Sequence, residues 1–166
     1  MNCNCGQYDA IELFREKVSE RIRHTRTLKK RLETIAEHSL GEHKLLKCPL
    51  CGQYWQISCA WNWSNGKYLF KVPDIKINEW LSKPYVQPDE LLIYTAMMHD
   101  YVDKNNFVET EKDCRTDGCA NRAVRYSVLC LDHHIESLQA AGALPKEPQG
   151  RDLPDYIRRT KSNSSY

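Results

Sequence analysis

The sequence predicts an α+β protein: a long N-terminal helix and a helical middle segment packed around two small metal-stabilised hairpin and helix modules. Three observations carry this. Apolar residues recur at helical spacings between residues 9 and 38. An alternating aromatic run folds back on itself at Asn65-Gly66. Eight cysteines fall into clusters at the spacings of metal ligands.

The chain has 166 residues, enough for one domain or two small ones. Its composition is lean, with 41% hydrophobic and 28% charged residues and a mean hydropathy of -0.66. A core this thin gains from crosslinks. No basic, apolar and small-residue leader opens the sequence, so the chain is expected to be cytoplasmic. Its densest apolar stretch, 91–98, is far short of the ~20 residues that span a bilayer. Thiols in a reducing compartment stay reduced, and clustered ones then bind metal before they form disulfides.

Residues 9–38 are expected to form one helix. Asp9 is a good N-cap and Glu12 completes a capping box. Ile11, Phe14, Val18, Ile22, Leu28, Leu32 and Ile35 follow at spacings of three, four or six, and Gly41 is a suitable stop. Such a helix would be ~45 Å long. Residues 54–72 read as a hairpin turning at Asn65-Gly66. With those two residues as the loop, Ser64 faces Lys67, Trp63 faces Tyr68, Trp61 faces Phe70 and Cys59 faces Val72. Trp55 and Ile57 extend that apolar face, and Gln56, Ser58, Ala60 and Asn62 form a polar one.

Pro73 ends the second strand, and a short helix is expected over 77–82. A longer helix follows from Pro88-Asp89-Glu90, a proline-first, acid-rich start, to about Asn105. A short strand is expected over 123–129 and a helix from Cys130 to Ala141, closed by Gly142. The domain reading is therefore 1–73 for the long helix and hairpin, 74–110 for a helical connector, 111–142 for the second metal module and 143–166 for an extended tail. Within that tail, Leu153 to Arg159 mixes anchors and charges like a docking peptide.

Cys48-Pro49-Leu50-Cys51-Gly52 is a metal knuckle: two thiolates two residues apart grip one ion, and the glycine permits the tight turn beneath them. Cys5-Gly6-Gln7-Tyr8 repeats the letters of Cys51-Gly52-Gln53-Tyr54. Cys3 and Cys5 thus act as a shortened second knuckle, and the first centre is assigned to Cys3, Cys5, Cys48 and Cys51. His38, His43 and Cys59 are the other residues that would complete it if the N-terminus stayed loose. Cys59 is the weakest of these, because its strand position suits a small buried hydrophobe. The knuckle followed by a hairpin resembles the zinc-ribbon class over about 25 residues, although the Cys-x-Cys half departs from the usual ribbon spacing.

Cys114, Cys119, Cys130 and His133 form the second set, all local in sequence. Cys130 and His133 lie three apart at the start of a helix, on one face, where the helix N-terminus favours a thiolate. His134 is the alternative fourth ligand. The stretch 114–134, written Cys-x4-Cys, strand, Cys-x2-His and helix, resembles the short treble-clef-like zinc modules of phage and bacterial proteins, including those flanking some HNH nucleases. The resemblance implies zinc and a local fold. The nuclease signature itself is absent.

Two structural zinc ions are the expected cofactors. Four thiolate-rich ligands leave no open position and make the metal a poor Lewis acid. Deaminase, zincin, P-loop, nucleophile-elbow and dinucleotide motifs are all missing. The chain is therefore expected to be no enzyme and to need no small-molecule substrate and no membrane. A net charge of +2 is too small to imply nucleic acid by itself. Arg21, Arg23, Arg26, Lys29, Lys30 and Arg31 nonetheless make a basic run without an acid. Arg23, Arg26 and Lys30 form one stripe of it, facing away from the apolar side. The favoured reading is an accessory, adaptor or inhibitor module whose partner is another protein. A nucleic-acid binder using helix 21–31 is the alternative. Trp61, Trp63, Tyr68 and Phe70 resemble a base-stacking platform, but read better as core.

Overall fold

The computed structural model describes residues 3–156 and 158. A single 3-10 turn, Cys5–Gln7, is followed by α1 (Arg15–Lys29), then strands β1 (Glu33–Glu37), β2 (Lys44–Lys47), β3 (Tyr54–Ala60) and β4 (Gly66–Val72). Helices α2 (Ile77–Ser82) and α3 (Pro88–Lys104) come next, then β5 (Glu109–Asp113), β6 (Arg122–Val124) and α4 (Leu131–Ala140). The chain divides within α3 into two units, 1–93 with 148–166, and 94–147. This differs from the sequence boundaries at both the connector and the tail.

The first unit is built on an antiparallel meander, β1-β2-β3-β4. The expected 9–38 helix is instead a 15-residue helix followed by a strand. Residues before Phe14 are not helical because the chain there lines the sheet: the Lys71 amide donates to the Ala10 carbonyl at 3.3 Å. Beyond Lys29 the β-branched Thr34-Ile35 pair enters β1, where Thr34 lies opposite Leu46. Ile11 reaches the core from outside the helix, and Phe14, expected on its buried face, is exposed. The face that does pack carries Val18, Arg21, Thr25 and Leu28.

That face also closes the outer edge of β4. The Leu69 amide donates to Thr25 Oγ1 at 3.1 Å, and the Arg21 guanidinium donates to the Leu69 carbonyl at 3.5 Å. Edge groups that would otherwise template another strand are thereby used up. Gly66 lets the helix come this close: a Cβ there would stand 2.9 Å from Ile22 Cγ2.

The hairpin exists, but its register is five residues from the expected one. Cys59 pairs with Lys67, Ile57 with Leu69 and Gln56 with Phe70. Ser64 and Asn65 hold φ of 52° and 56°, so the primed turn lies one residue earlier than Asn65-Gly66, and a second turn from Ala60 to Trp63 precedes it. The five-residue loop shifts the pairing by an odd number, which moves Trp55 and Ile57 to the face opposite Tyr68 and Phe70. Both faces are consequently buried. Leu46, Trp55, Ile57 and Leu69 pack with Leu28 and Cys48. Leu45, Tyr68, Phe70 and Val72 pack with Ile11, Val18, Trp80, Leu153 and Tyr156. Trp61 sits on the loop, half exposed.

The face expected to be polar is thus internal, and Gln56 makes that tolerable. Its Oε1 accepts from Trp80 Nε1 at 2.9 Å and from the Tyr85 amide at 3.0 Å. Its Nε2 donates to the Tyr85 carbonyl at 2.8 Å and to Ser58 Oγ at 3.0 Å. Trp80, Tyr85 and Val86 are core residues, so 77–86 belongs to the first unit rather than to a connector. The tail returns as well: Arg151 bridges to Tyr85, and Leu153 and Tyr156 are buried. They are therefore not available as anchors of a docking peptide. Ile157 and Arg159, the end of that motif, lie outside the described residues.

The second unit holds the β5–β6 ribbon and α4. Strand β5 was not foreseen, and β6 is shorter than 123–129 because the chain turns at Val124, whose carbonyl accepts from the Ser127 amide at 3.0 Å. Helix α4 stops at Ala140, with Gly142 at φ 76°. Among the described residues no helix is long and apolar enough to cross a membrane.

Candidate metal centres

Cys48, Cys51 and Gly52 form the connection between β2 and β3. The Gly52 amide donates to the Cys48 carbonyl at 2.9 Å, with Gly52 at φ 77°, a conformation that costs glycine nothing. The 3-10 turn brings the N-terminal pair to the knuckle. It is tethered there by the Lys71 ammonium donating to the Tyr8 carbonyl and by the Arg21 guanidinium lying 5.1 Å from the Tyr8 ring centre. Cys3, Cys5, Cys48 and Cys51 come together, their sulfurs all within 4.8 Å of one another. The other residues considered for this centre are engaged elsewhere. His43 Nδ1 lies 2.7 Å from Ser58 Oγ, the His38 ring stands edge-on to Trp80, and the Cys59 thiol donates to the Asn65 carbonyl at 3.5 Å.

The second cluster is assembled by β5, the turn after it and the start of α4. Cys114 follows β5, Cys119 closes a turn through its amide to the Thr116 carbonyl at 3.1 Å, and Cys130 is the N-cap of α4. Cys114, Cys119, Cys130 and His133 again place their ligand atoms within 4.8 Å of one another. Cys119 and Cys130 Sγ are 3.9 Å apart. His133 Nδ1 is 3.4 Å from Cys114 Sγ and 3.2 Å from Cys130 Sγ. His134 points elsewhere: its ring nitrogens meet Tyr101 Oη at 3.0 Å and Ser127 Oγ at 3.3 Å, which fastens α4 to the second half of α3. This separates the two adjacent histidines, which spacing left undecided.

Burial raises the Cys5 thiol to about 12, helped by the neighbouring Cys48 and Cys51. Cys48 is pushed up by burial but pulled further down, to about 7, by the Cys51 and Leu50 amides. At the second cluster burial is again outweighed: the amides of Cys130 and Thr116 bring Cys114 to about 6. Each cluster therefore contains one sulfur readily present as thiolate near neutral pH, the form that binds a cation. None of the eight cysteines is in a disulfide.

These donor sets fit a metal ion. A tetrahedral ion with ~2.3 Å bonds to sulfur holds its ligands ~3.8 Å apart, close to the separations seen. Sulfur and imidazole select a soft or borderline metal over calcium or magnesium. Compared with family models, curated proteins and solved structures, the chain matches none of them.

The basic run resolves into two parts. Arg21 is buried: it pairs with Glu12 at 2.9 Å and donates to the Asp9 carbonyl at 3.1 Å, so it does not belong to a surface. Its place three residues after Val18 and four before Thr25, on the packed stripe, was the available signal. Arg23, Arg26 and Lys30 are exposed, and among the described residues no acid lies within ion-pair distance of them. A cavity with no signature in the sequence opens at the first cluster, lined by three of its cysteines together with Leu28, Arg31, Leu32 and Leu50. Those residues come together only once helix, strand and knuckle have folded.

Proposed function

We propose that the chain is a non-catalytic binding module held together by two structural zinc ions, working in the reducing cytoplasm with another protein as its partner. The observation that carries this reading is the closed composition of the two clusters, four cysteines in one and three cysteines with a histidine in the other. Zinc is the metal such sets take most readily, and four protein ligands leave it no position for a substrate or water. Cys3, Cys5, Cys48 and Cys51 would hold one ion and Cys114, Cys119, Cys130 and His133 the other. The chemistry supplied is crosslinking. Arg23, Arg26 and Lys30 form the contact surface, and the unpaired charge they present suits an acidic partner.

Two measurements test this. Metal analysis of the purified chain is expected to give two zinc ions, and one or none overturns the two-centre assignment. Reversing the charge of Arg23, Arg26 and Lys30 is expected to abolish the complex recovered from the native cell while metal content stays at two. The alternative, a nucleic-acid binder, draws on the same exposed stripe. It requires wild-type binding to oligonucleotides with a log–log salt slope that falls by nearly three in the triple variant, ~0.9 per lost duplex phosphate contact.

A further inference from the structure

We infer that the cavity beside the first metal cluster is a docking groove for an acidic peptide segment carrying one large apolar anchor. This deepens the reading above, since it assumes the filled centre and names the chemistry of the partner. The cavity has a volume of about 460 Å³, within the ~300–1,000 Å³ of pockets that take a ligand. Leu28 and Leu32 form one wall from the end of α1 and the turn after it. Cys3, Cys5 and Cys48 of the first cluster and Leu50 at the tip of the knuckle line the rest. Leu50 is 61% exposed, so an apolar side chain stands at the mouth without covering material of its own.

Charge decides the occupant. Arg31 is the one charged side chain among the lining residues. It is exposed and, among the described residues, makes no ion pair; neither do the exposed Lys29 and Lys30 beside it. Glu33, the nearest acid in sequence, pairs with none of the three. An apolar slot with the unpaired Arg31 guanidinium among its lining residues is complementary to an apolar side chain with a neighbouring carboxylate. A nucleic acid would use the cations but leave the slot empty.

Three cysteines of the first cluster in the lining link the groove to metal. Cys3 and Cys5 come from the N-terminal segment, which the Tyr8 contacts hold near the knuckle, and on the proposed reading a bound ion would fix their sulfurs against Cys48 and Cys51. Docking should therefore require the first centre and be indifferent to the second.

The test uses the full zinc-loaded chain and fluorescein-labelled synthetic peptides: a central Leu or Phe flanked by Glu and Asp, the same peptides with central Ala, and the same apolar centres flanked by Lys. The acidic, apolar-centred peptides are expected to bind in the micromolar range. Central Ala or flanking Lys should weaken binding at least about tenfold. Leu50→Asp and Arg31→Glu, both surface changes, should each do the same with two zinc ions retained. Equal binding of Ala-centred peptides, or insensitivity to Leu50→Asp, overturns the groove even where the charge-reversal result for Arg23, Arg26 and Lys30 stands. Loss of zinc in Arg31→Glu would overturn it by making Arg31 a counter-charge for the thiolates. Self-association that Leu50→Asp removes, without peptide binding, would assign the groove to a second copy. Oligonucleotide binding that ignores Leu50→Asp would assign the cations to phosphate. A wild-type chain without zinc would defeat the module reading itself, whatever the peptides do.

Discussion

Asp89 is fully buried at the start of α3. Burial raises its carboxyl from 3.8 to about 6, assisted by the neighbouring Glu90 and opposed by the amides of Asp89, Glu90 and Asn62. Because the folded value is the higher one, rising pH ionises the unfolded chain first. The contribution of this group is thus fully present below 3.8 and is lost as pH climbs to about 6. Asp89→Asn, which resembles the protonated acid, has no such dependence. Urea titrations should show the variant gaining on the wild type between those limits. The difference should level off above them at on the order of 2–3 kcal/mol, since one pKa unit is ~1.4 kcal/mol. Metal release at low pH affects both chains and cancels in the comparison. A difference flat with pH would show that Asp89 is solvated. Gln56 is the opposite case, a buried polar group with four hydrogen bonds. Gln56→Leu keeps the volume but strands the Trp80 indole N–H and both backbone groups of Tyr85, each costing ~1–3 kcal/mol. A loss of about 3 kcal/mol or more is expected in the same titration, and a loss below 1 kcal/mol would mean that the 77–87 segment is held by other contacts.

At the scale of elements, the contact between α1 and β4 depends on one glycine. Gly66→Ala forces a Cβ to within 2.9 Å of Ile22 Cγ2 and 3.1 Å of the Trp63 carbonyl, and the second of these is backbone. The expected cost is ~1–3 kcal/mol. In an Ile22→Ala background it should shrink, and additive costs in that double-mutant cycle would show the helix does not press on the turn. The same region shows what could and could not be read from sequence. Helices α2, α3 and α4 followed from Pro88, the acids after it and Gly142, because their signals are local. The end of α1 left one local trace, the β-branched Thr34-Ile35 pair, which is poor helix material. The hairpin register was not legible. It depends on Ser64 and Asn65 both taking left-handed backbone, stabilised by α1 packing against the turn, and nothing within 54–72 encodes that. The two Cys/His clusters were readable because candidate metal ligands are marked by residue type and spacing together. The groove at Leu50 was not, since Leu28, Arg31, Leu32 and Leu50 share no motif.

Taken whole, the molecule spends its apolar residues unevenly. The first unit buries Trp55, Trp80, Tyr68, Phe70, Leu45, Leu46 and Leu69 at 0% exposure. In 94–147 the buried apolar residues are Cys114, Ala123, Val124 and Cys130, and α4 has no buried residue at all. Two of those four belong to the second cluster. Such a unit has almost no hydrophobic core to set against the entropy of ordering its chain, whereas a structural zinc site is worth ~10–16 kcal/mol. The two centres therefore have different roles. In the proposed two-zinc form, one would fasten an N-terminal segment to a unit that has a core of its own, and the other would be the core of its unit. Chelation should separate them. With metal removed, amides of β5, β6 and α4 should exchange with solvent at rates near those of an unfolded chain, while those of β3 and β4 stay protected. Cys119→Ser should reproduce that pattern with one zinc retained. Cys51→Ser should expose residues 3–8 and leave 94–147 intact, and Cys59→Ala should release no metal. Protection persisting in α4 after chelation would mean that the second unit folds without its ion. Collapse of protection in β3 and β4 would mean that the first centre is as essential to its unit as the second is to the other.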